Sequence, residues 1–299
     1  MSISAGSPGA VHTRHKSVLA LLAAYPTESD AKKLIRRLAR DKVAYAKRHG
    51  WTGPAFCPKI FSSIFDIRCK EVAHDIHGDG RILPYQNGKL WIEYHKDRPI
   101  ERQRFTIFHE FAHTLFPDFC KFLPLRHNAP GKPADPEKEF ENLCDIAASE
   151  MLMPIEDISA DLAELQRLNF EAINGFGGRY VASIDATTHR VVEVFDSAPC
   201  AAVFLTDQQR NRPGGGPLWT KYFCKNGQFR AYLKPGTIPP ARSVAFMCYG
   251  GQETTSAAKE TWWIEGVPRT WLAQARKLPS VPENPDYAKV VVLLLPPGY

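Results

Sequence analysis

The sequence predicts an α+β fold, a small sheet with two helices against it, followed by a β-rich C-terminal domain. Three observations carry this. Strand-like runs Ile82–Tyr85 and Leu90–Tyr94 flank Asn87-Gly88, a strong short hairpin signal. Two apolar-periodic helices follow, over about 101–116 and 136–153. From Val191 the pattern turns to short β-like runs: Val191–Phe195, Ala201–Leu205, Leu218–Cys224, Phe229–Leu233, Ser243–Tyr249, Thr261–Glu265 and Lys289–Leu295. The expected division is a flexible N-terminus (1–26), a mixed domain (27–200, including a helical segment 155–190) and a β-rich domain (201–299).

The elements follow from local signals. A helix over 27–50 has Thr27 or Ser29 as cap, Glu28 and Asp30 at its positive end and Gly50 as its stop. Ala31, Leu34, Ile35 and Leu38 form its apolar stripe, and the many Lys and Arg residues around it read as a solvated face. A short helix follows Pro58. Pro117 closes the 101–116 helix, and the proline-rich stretch 117–136 reads as a surface loop. Asp135-Pro136-Glu137 opens the next helix, which stops before Pro154. Pro213-Gly214-Gly215-Gly216-Pro217 is a loop rather than a phosphate cradle, because no helix with Lys-Ser/Thr follows it.

Composition excludes several classes. Of 299 residues, 44% are apolar and 23% charged, ordinary globular usage, so a disordered or collagen-like chain is excluded. The seven cysteines are odd in number and contain no Cys-x-x-Cys pair, which argues against a disulfide framework or a zinc knuckle and for a reducing compartment. The longest apolar runs, Val18–Ala24 and Val290–Leu295, are too short to span a bilayer. The first follows Arg14-His15-Lys16, but no convincing cleavage site comes after it. A cytoplasmic, membrane-free protein is expected. The net charge of +6 gives no reason to expect direct nucleic-acid binding.

Chemistry concentrates in Arg104-Phe-Thr-Ile-Phe-His109-Glu110-Phe-Ala-His113-Thr-Leu-Phe116, which contains His-Glu-x-x-His. Histidines four apart on a helix lie about 40° apart in projection and one turn up, so both rings can reach one tetrahedral ion. Glu110 sits where it can take a proton from an activated water rather than ligate. Phe105, Phe108, Ala112 and Leu115 are expected to bury the helix and fix the rings. A catalytic zinc needs a third protein ligand. The extended motif would place it at residue 119, but Phe119 stands there. The helix 136–153 offers Glu137, Glu139, Glu141, Asp145 and Glu150; spacing alone favours Glu141 only slightly over its neighbours.

These residues resemble the ImmA/IrrE family of metallo-endopeptidases. Arg102-Gln-Arg-Phe-Thr-Ile-Phe-His-Glu-Phe-Ala-His113 is similar to that family's Arg-x-Arg-Phe-Thr-x-x-His-Glu-x-x-His signature, and Glu141-Asn-Leu-Cys144-Asp145 through Pro154 to its Glu-x-x-Ala/Cys-Asn-x-Phe-Ala-x-x-Leu-Leu-Met-Pro helix. The resemblance spans about 58–205. It departs at Asp145 (usually Asn), at Ala147 (usually Phe) and at Phe111-Ala112 (commonly Leu-Gly). It implies a zincin-like domain with Zn2+ held by His109, His113 and Glu141, and Glu110 as catalytic base. It further implies a site-specific protease that cuts a helix-turn-helix transcriptional repressor in a stress or mobile-element response. Tyr94, His95, His127 and Arg179 are the candidates for stabilising the oxyanion, and Leu90–Tyr94 is a candidate strand for pairing with an extended substrate. Packing is the expected role of Cys144, and His74, His77 and His189 read as ordinary surface or core histidines. Two competing readings are a ligand- or partner-sensing regulatory protein with a weak or structural metal site, and a hydrolase of a small amide.

Overall fold

The computed structural model describes residues 14–73, 76, 78–85, 88–119, 135–207, 218–279 and 288–299. His74, His77, Asn87, Cys120 and His127 lie outside them. The chain divides into two compact units, Met1–Pro154 and Ile155–Tyr299. It is mixed α and β in both, and among the described residues no helix is long and apolar enough to cross a membrane.

In the first unit, Lys16–Ala24 (α1) is a helix with Val18 and Leu21 fully buried, where the sequence suggests a flexible lead-in. The apolar run thus contributes Val18 and Leu21 to the core, while Leu19 stays exposed. Ala31–Arg48 (α2) follows, capped by Asp30 rather than Thr27 or Ser29: its carboxylate accepts the Lys32 and Lys33 amides at 2.9 and 3.3 Å. Those backbone bonds hold the Asp30 carboxyl below its ordinary value. The bases of α2 are largely engaged. Lys42 lies over Phe65, Lys47 over Phe56, and Arg40 pairs with Glu150 through two nitrogens at 3.1 and 3.3 Å.

Pro58–Ile64 (α3) leads into a three-stranded sheet of Ile67–Val72 (β1), Gly80–Pro84 (β2) and Leu90–His95 (β3), ordered β1-β3-β2. β3 is the centre, parallel to β1 and antiparallel to β2. One face is apolar: Ile67, Ile82, Ile92 and Tyr94 are buried. The other carries a charged ladder, with Glu93 opposite Lys70 on β1 and Arg81 on β2, the Arg81 nitrogens 2.7 and 2.9 Å from the carboxylate. β1 does not stand out in the sequence because Arg68, Lys70 and Glu71 dilute its apolar alternation.

Ile100–Ala112 (α4) continues into a 3-10 turn, His113–Leu115, and packs on β3 and β2. Its buried side is Arg104, Ile107, Phe108, Phe111 and Ala112; Phe105, expected in the stripe, is only partly buried. Behind α4, Phe61 meets Phe108 and Phe111 with ring centres 5.4 and 4.9 Å away, and Trp51 closes on Phe61 at 4.8 Å. Each such pair contributes about 0.5–1.5 kcal/mol beyond area burial. Asp135–Leu152 (α5) packs on both α2 and α4.

The second unit opens with the helices Ile155–Ala163 (α6), Phe170–Tyr180 (α7) and Ile184–Val194 (α8) and carries an antiparallel sheet ordered β5-β4-β8-β7-β6. Its strands are Ala201–Thr206 (β4), Trp219–Lys225 (β5), Ala258–Ile264 (β6), Val267–Lys277 (β7) and Val290–Leu295 (β8). Every residue of β4 and β8 is buried, so both sheet faces are covered. Ala201, Val203 and Leu205 share a core with Val244, Ala245 and Cys248 of a short helix, Val244–Tyr249 (α9), while Phe204 on the other face stacks on His189 of α8.

Three expected strands are corrected. Val191–Phe195 lies in and just beyond α8, because the helix capped by Ser183 propagates through its β-branched residues. Ser243–Tyr249 is the helix α9: Ser243 caps it by accepting the Ala245 amide, and the buried Glu260 carboxylate accepts from both the Ser243 hydroxyl and the Val244 amide. Phe229–Leu233 is no strand but a core-filling segment with Phe229, Ala231 and Leu233 buried. The second unit begins at Ile155, and its α7 and α8 pack against β7, β4 and β5.

Candidate metal centre

α4 and its 3-10 extension bring ligand atoms of His109, Glu110 and His113 within 4.8 Å of one another. His113 begins the tighter turn, and its ring stacks on Phe140 of α5 with centres 5.3 Å apart and planes 22° apart. The two histidine rings stand nearly perpendicular, 5.0 Å between centres. Nε2 of His113 lies 3.9 Å from a Glu110 oxygen, and both side chains are largely shielded from solvent.

α5 supplies the rest. An oxygen of Glu141 lies 3.0 Å from His109 Nε2, and an oxygen of Asp145 lies 2.8 Å from His109 Nδ1. Cys144 Sγ is 3.2 Å from His113 Nδ1, so this thiol does more than fill space. The other acids on α5 are occupied elsewhere: Glu137 pairs with His15, Glu139 with Arg14 and the fully buried Glu150 with Arg40. Burial alone would push the His109 imidazole down, but its bonds to Asp145 and Glu141 and the charge of Glu110 outweigh this and raise it to about 10. Carboxylates that favour an imidazolium also favour a divalent cation at the same place. Two imidazoles, a carboxylate within reach of one of them and an adjacent second carboxylate make a donor set that suits zinc.

The centre is framed by contacts the sequence reading did not single out. Arg102 donates to Asp79 at 2.5 Å, and Arg98 lies 2.8 Å from the same carboxylate. Arg104, buried, donates to the Phe56 carbonyl at 2.6 Å. Gly80, which opens β2, lies so close to α4 that a Cβ there would stand 2.4 Å from Thr106 Cγ2 and 3.3 Å from Glu110 Cγ. The Gly78-Asp79-Gly80 sequence hints at a turn but not at this approach.

Residues 69–191 match the family model described as the IrrE N-terminal-like domain. Over this stretch the chain is similar to the IrrE N-terminal-like domain of the peptidase M78 family. The IrrE N-terminal-like domain is metallopeptidase-like, contains every candidate ligand, and runs across the division after Pro154 to Val191 in α8. A solved structure, a Mycobacterium tuberculosis transcriptional regulator, is similar over 87% of this chain and 86% of that one, with a TM-score of 0.53 and 12% identity, a likeness of fold alone. Among curated proteins no match is found.

Of the oxyanion candidates, Tyr94 gives its hydroxyl to Glu71 at 2.7 Å, His95 lies by Asp97, and Arg179, in the second unit, pairs with Asp161 at 3.2 Å. None of these contacts is with His109, Glu110, His113 or Glu141. Both sides of β3 are occupied by β1 and β2, so Leu90–Tyr94 has no free edge for a substrate strand. His189 packs against both Phe204 and Tyr222, which also stack on each other, so it is a packed aromatic-cluster histidine, and burial holds its imidazole below the usual value.

Proposed function

We propose that the chain is a zinc-dependent, site-specific endopeptidase whose substrate is a protein, a helix-turn-helix transcriptional repressor, cut in a stress or mobile-element response. The observation that supports it most is the convergence of His109, Glu110 and His113 on one helix end with the Glu141 carboxylate 3.0 Å from His109 Nε2. His109, His113 and Glu141 would hold the metal. When bound, zinc supplies a Lewis acid that lowers the pKa of a water towards about 7 and polarises the scissile carbonyl. Glu110 takes the proton of the attacking water and returns it to the leaving amine.

Substrate positioning falls to β2. It is an outer strand of the sheet, and its first residue, Gly80, lies against Thr106 and Glu110. An extended peptide adding to this edge gains main-chain hydrogen bonds beside the base. The repressor itself is taken from the resemblance to the ImmA/IrrE enzymes. The test is trapping: Glu110→Gln, expressed with a tag, should hold zinc at one ion per chain and retain the uncleaved substrate that wild type releases as two fragments. Zinc uptake undiminished by His113→Ala, or full cleavage by Glu110→Gln, overturns the reading.

A further inference from the structure

One turn of α5 faces both histidines. Glu141, Cys144 and Asp145 are spaced i, i+3 and i+4, so they share one face of the helix. The first lies at His109 Nε2, the second at His113 Nδ1 and the third at His109 Nδ1. The two nitrogens of an imidazole point to opposite sides of the ring. Asp145 and Glu141 therefore approach His109 from opposite sides, and only one of them can share an ion with that ring. His113 settles which. Its Nδ1 is occupied by the buried Cys144 thiol, so its Nε2, 3.9 Å from Glu110, is the nitrogen turned towards the base. With both rings presenting Nε2, Glu141 stands on the ion's side and Asp145 behind the ring.

We propose that Cys144 and Asp145 are positioning residues that hold His113 and His109 by their Nδ1 atoms and so fix both Nε2 atoms towards the metal. The inference rests on the metal-site reading above and adds the two groups that orient its ligands. A ligating imidazole carries its remaining proton on the other nitrogen, and an acceptor there fixes both tautomer and ring rotation. Asp145 does this for His109 with a charged acceptor, and its half-exposed carboxylate gives the protein no packing role at that point. Cys144 does it for His113 with sulfur, a weak acceptor but the atom the buried site presents.

The test is zinc affinity of the full chain, measured by competition with a chromophoric chelator, alongside melting of the metal-free protein. Asp145→Ala and Cys144→Ala should each weaken zinc by about 10–100-fold. Asp145→Asn, which keeps an acceptor without the charge, should fall between wild type and Asp145→Ala. Cys144→Ser, which restores a polar acceptor at nearly the same place, should recover most of the affinity that Cys144→Ala loses. The metal-free melting temperature of Asp145→Ala should fall only modestly, by what the lost Asp145–His109 bond contributes, and the variant should stay fully folded at the temperature of the zinc titration, which separates ligand orientation from unfolding. Wild type that takes up no zinc overturns the metal-site reading and this inference with it. Wild type that binds zinc while Asp145→Ala binds it equally tightly, or while Cys144→Ser binds no better than Cys144→Ala, overturns the inference alone.

Discussion

Gly80→Ala adds one methyl group where β2 touches α4, and its cost can be worked from the contacts. The new Cβ would stand 2.4 Å from Thr106 Cγ2, 3.1 Å from the Glu93 carbonyl and 3.3 Å from Glu110 Cγ. Ordinary contacts begin near 3.4 Å, so the strand and helix must separate by about 1 Å at this point. Neither neighbour yields easily. Thr106 is buried and β-branched, limited to two χ1 rotamers in a helix, and the carbonyl belongs to the central strand. Overpacking of this kind costs about 1–3 kcal/mol. For a protein of this size that lowers the melting temperature by roughly 2–4 °C per kcal/mol, readable by circular dichroism. Thr106→Ser removes the closest atom, so the double variant should be at least as stable as Gly80→Ala alone, a coupling of about 1 kcal/mol or more. Glu110 rides on the same helix turn, so turnover of the trapped substrate should fall further than stability explains. Unchanged melting of Gly80→Ala, or strict additivity in the double variant, would refute the close-approach reading.

Other perturbations test other parts of the fold. Arg40→Ala removes the bidentate partner of the fully buried Glu150 and should cost about 2–3 kcal/mol in chemical denaturation, at the low end for a buried pair because Arg40 is itself 43% exposed. Asn226→Ala should cost about 2–4 kcal/mol, since this buried side chain donates to the Phe195 and Ala198 carbonyls and accepts from the Cys200 and Phe229 amides. At Glu93, burial works to raise the carboxyl, but Arg81 and Lys70 hold it below its ordinary value, so its stabilising contribution is present above about pH 4.5 and is lost as pH falls through the lowered folded value. Glu93→Gln should therefore flatten the melting-temperature profile between neutral and acid pH; an unchanged profile counts against the ladder. Chelation of zinc should lower the melting temperature of wild type, by an amount set by about 4 kcal/mol at a thousandfold excess over the dissociation constant, and leave His113→Ala nearly unmoved.

Much of the site is legible in the sequence because its signals are local. His109, Glu110 and His113 fall on one helix turn by spacing alone, and the proline after Phe116 marks the end of that helical run. What spacing cannot decide is which acid of α5 meets them, since that depends on how two helices cross. The crossing assigns Glu150 to Arg40, Glu137 to His15, Glu139 to Arg14 and Glu141 to His109. The strands fare unevenly for the same reason. β2 and β3 carry Ile82, Trp91, Ile92 and Tyr94 beside a turn signal, whereas β7, with Arg269, Gln274, Arg276 and Lys277, has little β-propensity of its own. It is placed by the tight hairpin that pairs its Val267 with Ile264 of β6 and by pairing with β8 further along the chain. Ser243–Tyr249 errs in the opposite direction: its residues suit a strand, and a distant buried glutamate caps them into a helix.

The residues flanking His-Glu-x-x-His show why a motif can be longer than its chemistry. Arg102 and Arg104, beside a candidate metal site, invite a reading as oxyanion or substrate groups. Each is instead engaged in a tie: Arg102 to Asp79 at the entrance of β2, Arg104 to the Phe56 carbonyl below α4. Thr106, one turn on from Arg102 and on the same side of the helix, meets Gly80. Three residues at alternate positions thus fasten α4 to two separate segments of chain just before the ligands begin. A metal site tolerates little rotation of its helix, because an error of about 1 Å at the ligands can cost a hundredfold in rate. The His-Glu-x-x-His pentapeptide specifies what can bind, and the arginines and threonine ahead of it specify where it is held. That division of labour makes the longer pattern a stronger signal than the pentapeptide.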